Sequence, residues 1–473
     1  MNDLTLLPFR FRRRHQGDYL CVSEAGDFIK LDRTELEGLI RAPTELPLHR
    51  VFELKAKFFL ASNKATGVMR LLASRVVTKK ATLLDGPSLH IIVPTLFCEH
   101  SCQYCQVSRS SSENRFSMST EDIDAACLRI FESPAPTLTV EFQGGDPLLR
   151  FDLVKRAILN ITETNKTEKR QLRFVVASTL HQLTEQMCEF FKEFDVKLST
   201  SLDGPEWLHN KNRPKKERNS YALTIKGLDM ARRLIADDAV SALTTITRAS
   251  LAHPHEIVDE YAERDLGDIF LRSLSNYGFA RRRNAGFGYT WKEFADFYRM
   301  AFDHIETLNH SGVAIREVGA TLLLRKILSP HDPGYVDLQS PTGAGLAALV
   351  YNYDGYIYPS DEARMLAETG DTSLRLGRIT ESLKNALNTN IQRNFIEASI
   401  NWFNPACSRC VNLPYCGPDP VAAYNQFGTM MAPVALTDHC VRHTWLFSFL
   451  FEKLLDPSNS FASVAERWAS RTH

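Results

Sequence analysis

Residues 89–105 read LHIIVPTLFCEHSCQYC, an apolar run followed by three cysteines within eight residues. The run Leu89–Thr95 has the length and β-branched content of a strand buried on both faces. Cys98, Cys102 and Cys105 therefore lie on the loop that leaves its C-terminal end. Working outward, TLTVEF (137–142), QLRFVVAST (171–179), VKLSTSL (196–202), SALTTIT (241–247) and DIFLRSL (268–274) read as five further strands. Amphipathic helices fall between them, among them Ser119–Phe131, EQMCEFFKEF (185–194) and the stretch around Tyr221–Ile235. Strand–helix alternation of this kind predicts a parallel α/β sheet joined by right-handed crossovers. Six units are too few for a closed eightfold barrel and suit an open or partial one, with its chemistry at the strand C-terminal ends.

The flanks differ in style. PFRFRRR, DYLCVS and FIKL, with a turn at Glu24–Asp27, read as short antiparallel strands, and Asp32 with Glu35 opens a helix in capping-box fashion. Beyond a helical stretch (291–309), LAALVYNY-Asp354-Gly355-YIYPS is a hairpin with an Asp-Gly turn. The expected division is a strand–helix module over 1–80, a barrel over 85–310 and a cysteine-bearing domain over 311–473.

The chain's 473 residues carry 56 Lys plus Arg against 56 Asp plus Glu, 44% hydrophobic residues and ten cysteines. This is ordinary globular composition, and zero net charge argues against a general polyanion binder. The basic runs Arg12–Arg14, Lys215–Arg218 and Arg281–Arg283 are scattered, so no nucleic-acid partner is expected. The longest uncharged stretch, Pro420–Thr437, is broken by proline and glycine, and the N-terminus places its arginines after its apolar residues. Neither a membrane span nor a secretory signal fits, which predicts a cytoplasmic protein. Clustered cysteines in a long neutral chain read as metal ligands, while Cys21, Cys127 and Cys188 read as buried core thiols.

Three thiolates as close as Cys98, Cys102 and Cys105 can hold three irons of a four-iron cluster and leave the fourth open to a ligand. A zinc site completed by His100 is the competing reading. The spacing resembles the signature of the radical S-adenosylmethionine (SAM) superfamily, Cys-x3-Cys-x2-Cys with an aromatic residue before the last cysteine, a position filled by Tyr104. The second strand ends in Phe142-Gln143-Gly144-Gly145-Asp146-Pro147, similar to the superfamily's Gly-Gly-Glu-Pro motif, which binds the amino group of SAM. Ser178-Thr179 ends the third strand. The fourth ends in Ser201-Leu-Asp203-Gly-Pro, which resembles the peptide-modifying branch, with His209 and Arg213 following as they do there. The resemblance thus implies a partial (β/α)6 radical SAM barrel with SAM contacts at Tyr104, Gln143, Gly144, Gly145, Asp146, Ser178, Ser201, Asp203 and Arg213.

The peptide-modifying branch often carries a SPASM domain, and Cys407-x2-Cys410-x5-Cys416 with Cys440 resembles part of its pattern. Thr342, Ser360 and Pro420 stand where three further cysteines would be. The resemblance implies that the missing three belong to a first auxiliary cluster and the retained four hold a second. One auxiliary [4Fe-4S] cluster is therefore expected beside the SAM-binding one; a zinc ion on the same four thiolates is the alternative. Asp361 follows Ser360 directly, and in sulfatase-maturing members the acid at this place is a base on the substrate radical. Ser-Asp-Glu is also a common helix start.

The activity implied is reductive cleavage of SAM to methionine and a 5′-deoxyadenosyl radical, which abstracts hydrogen from a substrate carbon. Cys105-Gln-Val-Ser-Arg109 and LVYNYDGYIYPSDEAR (349–364) are similar to the His-Xaa-Ser system maturases. That resemblance implies a precursor peptide with His-Xaa-Ser repeats, a second maturase of the same system, and an electron donor such as flavodoxin or ferredoxin. The N-terminal module is similar to elements that bind a leader peptide by strand addition. A formylglycine-forming sulfatase maturase and a non-enzymatic iron–sulfur carrier are the alternatives.

Overall fold

The computed structural model describes residues 4–62, 66–102, 104–112, 115–275, 277, 288–456 and 461–470. Two compact units emerge, both discontinuous in sequence: residues 85–319 with 344–393, and residues 1–84 with 320–343 and 394–473.

The first unit is built on one sheet. Its strands β1 (Leu89–Thr95), β2 (Thr137–Gly144), β3 (Gln171–Ala177), β4 (Val196–Ser201), β5 (Val240–Thr245) and β6 (Leu271–Arg272) lie side by side in chain order, all parallel. β2 shows why the sequence folds this way. Leu138, Val140 and Phe142 are fully buried, whereas Thr139, Glu141 and Gln143 alternate onto the other face and stay partly exposed. The crossover helix Thr120–Phe131 buries Ile123, Ala126, Cys127 and Ile130 on one stripe, and Ser119 caps it by accepting from the Asp122 amide at 3.1 Å.

The sixth strand is shorter than its sequence suggests. Only Leu271–Arg272 joins this sheet, while Asp268–Ile269 turns to pair with Arg316–Glu317. On the other side of β1, the expected hairpin extends the same sheet. β7 (Ala348–Tyr351) pairs parallel with β1, and β8 (Tyr356–Tyr358) and β9 (Gly377–Arg378) follow antiparallel. The expected boundary near residue 311 places this hairpin with the C-terminal cysteines, but its buried run Ala348–Tyr351 is suited to a covered parallel edge. His90 and Tyr351 lock the pairing. The Tyr351 hydroxyl donates to Nδ1 at 3.1 Å, and Nε2 donates to the Pro87 carbonyl at 3.1 Å.

The second unit joins the two ends of the chain. Strands Phe9–Arg13, Tyr19–Ser23 and Phe28–Leu31 form an antiparallel sheet over a core of Cys21, Ile29, Leu31, Leu36, Leu39, Val51, Leu54, Phe59 and Leu60. Helix Arg33–Arg41 opens on the Asp32/Glu35 capping box. The module is not separate from the C-terminal cysteines. The Tyr415 hydroxyl donates to the Gly26 carbonyl at 2.8 Å, and Arg10 Nε donates to the Ser408 carbonyl at 2.6 Å. Burial pushes the thiols of Cys21 and Cys127 up to about 12 and that of Cys188 up to about 11, as expected of inert core cysteines. Among the described residues, no helix is long and apolar enough to cross a membrane.

Candidate active site and cysteine centres

The loop carrying Cys98, Cys102 and Cys105 leaves β1 and closes on its own return. The Cys98 amide donates to the Ser110 carbonyl at 3.1 Å and the Ser110 amide to the Leu96 carbonyl at 2.7 Å. Burial pushes the Cys102 thiol up to about 12 and raises Cys98 further, and each of these two also feels Cys105 as a like charge. A metal that binds such thiols must displace their protons. The all-sulfur donor set on one short loop fits three irons of a four-iron cluster. His100, the fourth ligand in the zinc reading, is committed elsewhere: its Nε2 meets Ser220 Oγ at 2.8 Å and its ring packs 4.5 Å from that of His181. Among the described residues, no three His, Cys, Asp or Glu side chains converge as a single ion would require.

Gly144 and Gly145 dock this loop from the end of β2. A Cβ on Gly144 would lie 2.1 Å from the Thr95 carbonyl oxygen, and one on Gly145 would lie 2.2 Å from that of Phe97. Gly144 also has φ +139°. The absent side chains let the Gly145 amide reach the Thr95 carbonyl at 2.9 Å and the Asp146 amide reach that of Phe97 at 2.8 Å. The close approach that the two glycines permit is made to the chain's own backbone.

Asp146 and Asp203 are both held by the chain's own donors. Asp146 is 2% exposed and accepts from Ser178 Oγ at 2.7 Å, Thr179 Oγ1 at 2.5 Å, and the Leu148 and Thr179 amides. Burial raises its pKa, and the Thr179 and Ser178 hydroxyls oppose the rise. These four donors tie β2 to the end of β3. Asp203 is fully buried after β4. It accepts from the Tyr104 hydroxyl, from Arg213 Nε at 3.0 Å and Nη2 at 3.3 Å, and from the Thr245 amide at 3.1 Å. Arg213 also lies 5.4 Å over the Tyr104 ring. Burial opposes the Arg213 charge, but Asp203 and Tyr104 outweigh it and raise its pKa. Tyr104, Asp203 and Arg213 therefore form a clasp between the cysteine loop and the β4 and β5 ends. His209 supports it: Nδ1 accepts the Asp203 amide at 3.3 Å, and Nε2 meets Ser220 Oγ at 3.1 Å.

Sequence reasoning missed Glu141, the partner of Gln143 on the partly exposed face of β2. Gln143 Nε2 donates to Glu141 Oε1 at 2.9 Å. Burial raises the Glu141 pKa; the nearby Asp361 adds to the rise, while Gln143 and Arg272 oppose it. The alternation Thr139–Glu141–Gln143 was the available signal. Asp361 lies in the first turn of helix Asp361–Ala367, where its Oδ1 accepts from Arg364 Nε at 2.8 Å and Nη2 at 2.6 Å. Ser201, the remaining predicted contact, is half-buried at the end of β4.

In the second unit, Cys407, Cys410, Cys416 and Cys440 gather from a short helix, the loop after it and helix Asp438–Leu454. Burial raises the thiols of Cys407 (to about 12), Cys416 and Cys440, and each is raised further by others of the four. Four thiols that influence one another in this way are the donor set a four-iron cluster takes. Two of the positions where cysteine is missing have become helix starts. Ser360 Oγ accepts the Ala363 amide at 3.2 Å, and Pro420 opens helix Pro420–Phe427 behind its cap Asp419. Thr342 donates its amide to Ser399 Oγ at 2.8 Å. The basic runs are partly paired in place, Arg14 with Asp18 and Glu452 and Lys215 with Glu99; Arg281–Arg283 lies outside the described residues.

Residues 92–261 match the Radical SAM superfamily. Among curated relatives, a protein of Synechocystis sp. is 30% identical over 192 residues, 39% of this chain, and the chain spans only 47% of that relative's length. A cysteine-type anaerobic sulfatase-maturating enzyme of Clostridium novyi is 23% identical over 328 residues, 67% of this chain and 83% of that one. Among solved structures, native anSMEcpe with bound AdoMet and Kp18Cys peptide superposes with a TM-score of 0.66 at 18% identity, covering 80% of this chain and all of that one. Streptococcus suis SuiB bound to precursor peptide SuiA does so with a TM-score of 0.55 at 14% identity, over 92% of this chain and 99% of that one. These two share the fold. The parallel sheet, the three-cysteine loop and the Gly-Gly turn agree with the match of residues 92–261 to the Radical SAM superfamily.

Proposed function

We propose that this enzyme is a peptide maturase, acting on a precursor with His-Xaa-Ser repeats. The reading rests most on one observation: the three-thiol loop is clamped from both sides, by Gly144–Asp146 and by Asp203–Arg213, at the C-terminal ends of the parallel strands. When bound, a [4Fe-4S] cluster on Cys98, Cys102 and Cys105 with SAM at its open iron supplies one-electron cleavage of SAM. The chain's residues orient that chemistry. Gln143 and Ser201, on the barrel-facing positions of β2 and β4, are the proposed direct SAM contacts. Asp146, Ser178, Tyr104, Asp203 and Arg213 are proposed to hold the frame around it. Asp361, beside Glu141, is the proposed base for a substrate proton, and Arg364 fixes its carboxylate. A second [4Fe-4S] cluster is proposed on Cys407, Cys410, Cys416 and Cys440.

Several features support a peptide substrate. The solved structures of similar fold hold peptides, anSMEcpe the Kp18Cys peptide and SuiB its precursor SuiA. Strand Phe9–Arg13 is an edge of its sheet and presents Phe11, which is 48% exposed, a ready site for an added leader strand. A second maturase of the same system and a flavodoxin or ferredoxin donor complete the proposal.

The test is co-expression of precursor and enzyme followed by mass spectrometry, with Cys98→Ala as the control. A mass change that requires Cys98 supports the reading, and an unchanged mass with no epimerised residue overturns it. The similarity to the Clostridium novyi enzyme over 67% of this chain favours a second reading, formylglycine formation on a sulfatase. Conversion of a sulfatase-derived Ser or Cys peptide to formylglycine would establish that reading instead.

A further inference from the structure

We infer that Arg12, Lys79, Lys80 and Lys326 form a cationic shell that raises the reduction potential of the cluster on Cys407, Cys410, Cys416 and Cys440. The inference rests on the reading of those four cysteines as an iron–sulfur site. A cavity of about 40 Å³ is lined by Lys79, Lys80, Lys326, Asp332, Trp402 and Cys416, among others. Lys326 is 2% exposed and ion-paired with Asp332. Lys79 Nζ donates to the Lys326 and Ser329 carbonyls at 3.0 and 3.3 Å and lies 5.4 Å over the ring of Tyr415, the neighbour of Cys416. Lys80 Nζ donates to the Ser340 carbonyl. Carbonyl partners satisfy the lysine protons but leave their charge in place.

From another strand, burial lowers the Arg12 pKa, and a negative sulfur at Cys410 opposes the fall. Arg10, one alternate residue away, ties that strand to the Ser408 carbonyl while its charge is matched by Glu24 at 2.5 Å. Burial and the repulsion of Lys326 pull Lys79 down to about 8. Asp332 matches one of these charges, and crowding the other lysines beside it is costly unless a further anion is near. A four-thiolate cluster is such an anion, and it becomes more negative by one charge on reduction. Nearby cations therefore favour its reduced form, and cluster potentials follow net local charge.

The test is EPR-monitored redox titration of the full chain carrying Cys98→Ala, in which only the auxiliary site titrates. Arg12→Gln and Lys80→Gln should keep about four irons per chain and shift the oxidised-to-reduced ratio at the parent midpoint by about tenfold toward oxidised, ~59 mV for one electron. Arg12→Lys should restore most of the shift, and Arg13→Gln, an exposed site on the same strand, should cause none. Full iron content with an unmoved midpoint in both Gln variants would overturn the inference alone. Zinc without a redox signal in the parent would overturn the reading of the four cysteines on which it rests.

Discussion

The two cysteine centres are built by different means. The Cys98–Cys105 loop is held by a parallel sheet, with glycine backbone on one side and a buried Asp–Arg–Tyr clasp on the other. The Cys407–Cys440 centre is held by side chains from distant sequence: Asn401 Nδ2 donates to the Cys416 carbonyl at 2.7 Å, Tyr415 reaches Gly26 and Arg10 reaches Ser408. Their electrostatics also diverge. Burial raises Cys98, Cys102 and Cys416 alike; beside it Asp146 adds to the rise at Cys98, Arg213 opposes it ahead of Asp203 at Cys102, and Lys326 opposes it at Cys416. Carboxylates beside a cluster favour giving up an electron and cations favour accepting one.

The largest effect should come from emptying one centre at a time. Cys98→Ala should reduce 5′-deoxyadenosine formation to background. Cys416→Ala should leave SAM cleavage intact but uncouple it from peptide modification, as read by the ratio of 5′-deoxyadenosine to product. Equal loss of both outputs in the two variants would erase the proposed division of labour.

Next come the two glycines that dock the loops. A Cβ at Gly145 would meet the Phe97 carbonyl oxygen at 2.2 Å, and one at Gly417 would meet that of Gln339 at 1.9 Å. Each substitution to alanine should cost about 3 kcal/mol of local stability. Each should also remove roughly four of eight irons, from its own centre only. Iron analysis with EPR distinguishes the two, and loss from both centres in either variant would show that they do not assemble independently.

Comparable in size, but confined to the sheet that carries the first centre and without loss of iron, is the effect of acid. Burial depresses His90 to about 4 from its ordinary 6.5. The unfolded chain thus binds the proton first, so the stabilisation by neutral His90 is complete above pH 6.5 and is lost as pH falls toward 4. The loss is on the order of 3 kcal/mol. Urea unfolding followed across that range should show it, and His90→Gln should flatten the profile. The smallest effect is Arg213→Lys, which keeps the charge but not the two-pronged contact with Asp203 and should cost about 1–2 kcal/mol. Thermal melting reads it, and an unchanged midpoint would remove the clasp from the account.

The sheet was legible from residue 89 onward because buried strands and amphipathic helices alternate with distinct periods, and the cysteine groups because thiols cluster in so few ways. The hairpin's place was not. A run such as Ala348–Tyr351 shows that a strand is buried but not which neighbour covers it, and its partner β1 lies far away in sequence. The roles of Asp146 and Asp203 were equally hidden. Motif and spacing indicate a carboxylate at a strand end, but only the fold reveals that Ser178, Thr179, Tyr104 and Arg213 already surround it. Glu141 could have been found from its alternation with Gln143. The link between Arg10 and Ser408 spans nearly the whole chain and has no local signature.

The most direct test of the central claim is the reaction of the anaerobically reconstituted, reduced full chain with SAM. The expected products are 5′-deoxyadenosine and methionine in equal amounts, both lost in Cys98→Ala. Protein that carries its full iron complement yet leaves SAM intact would contradict it.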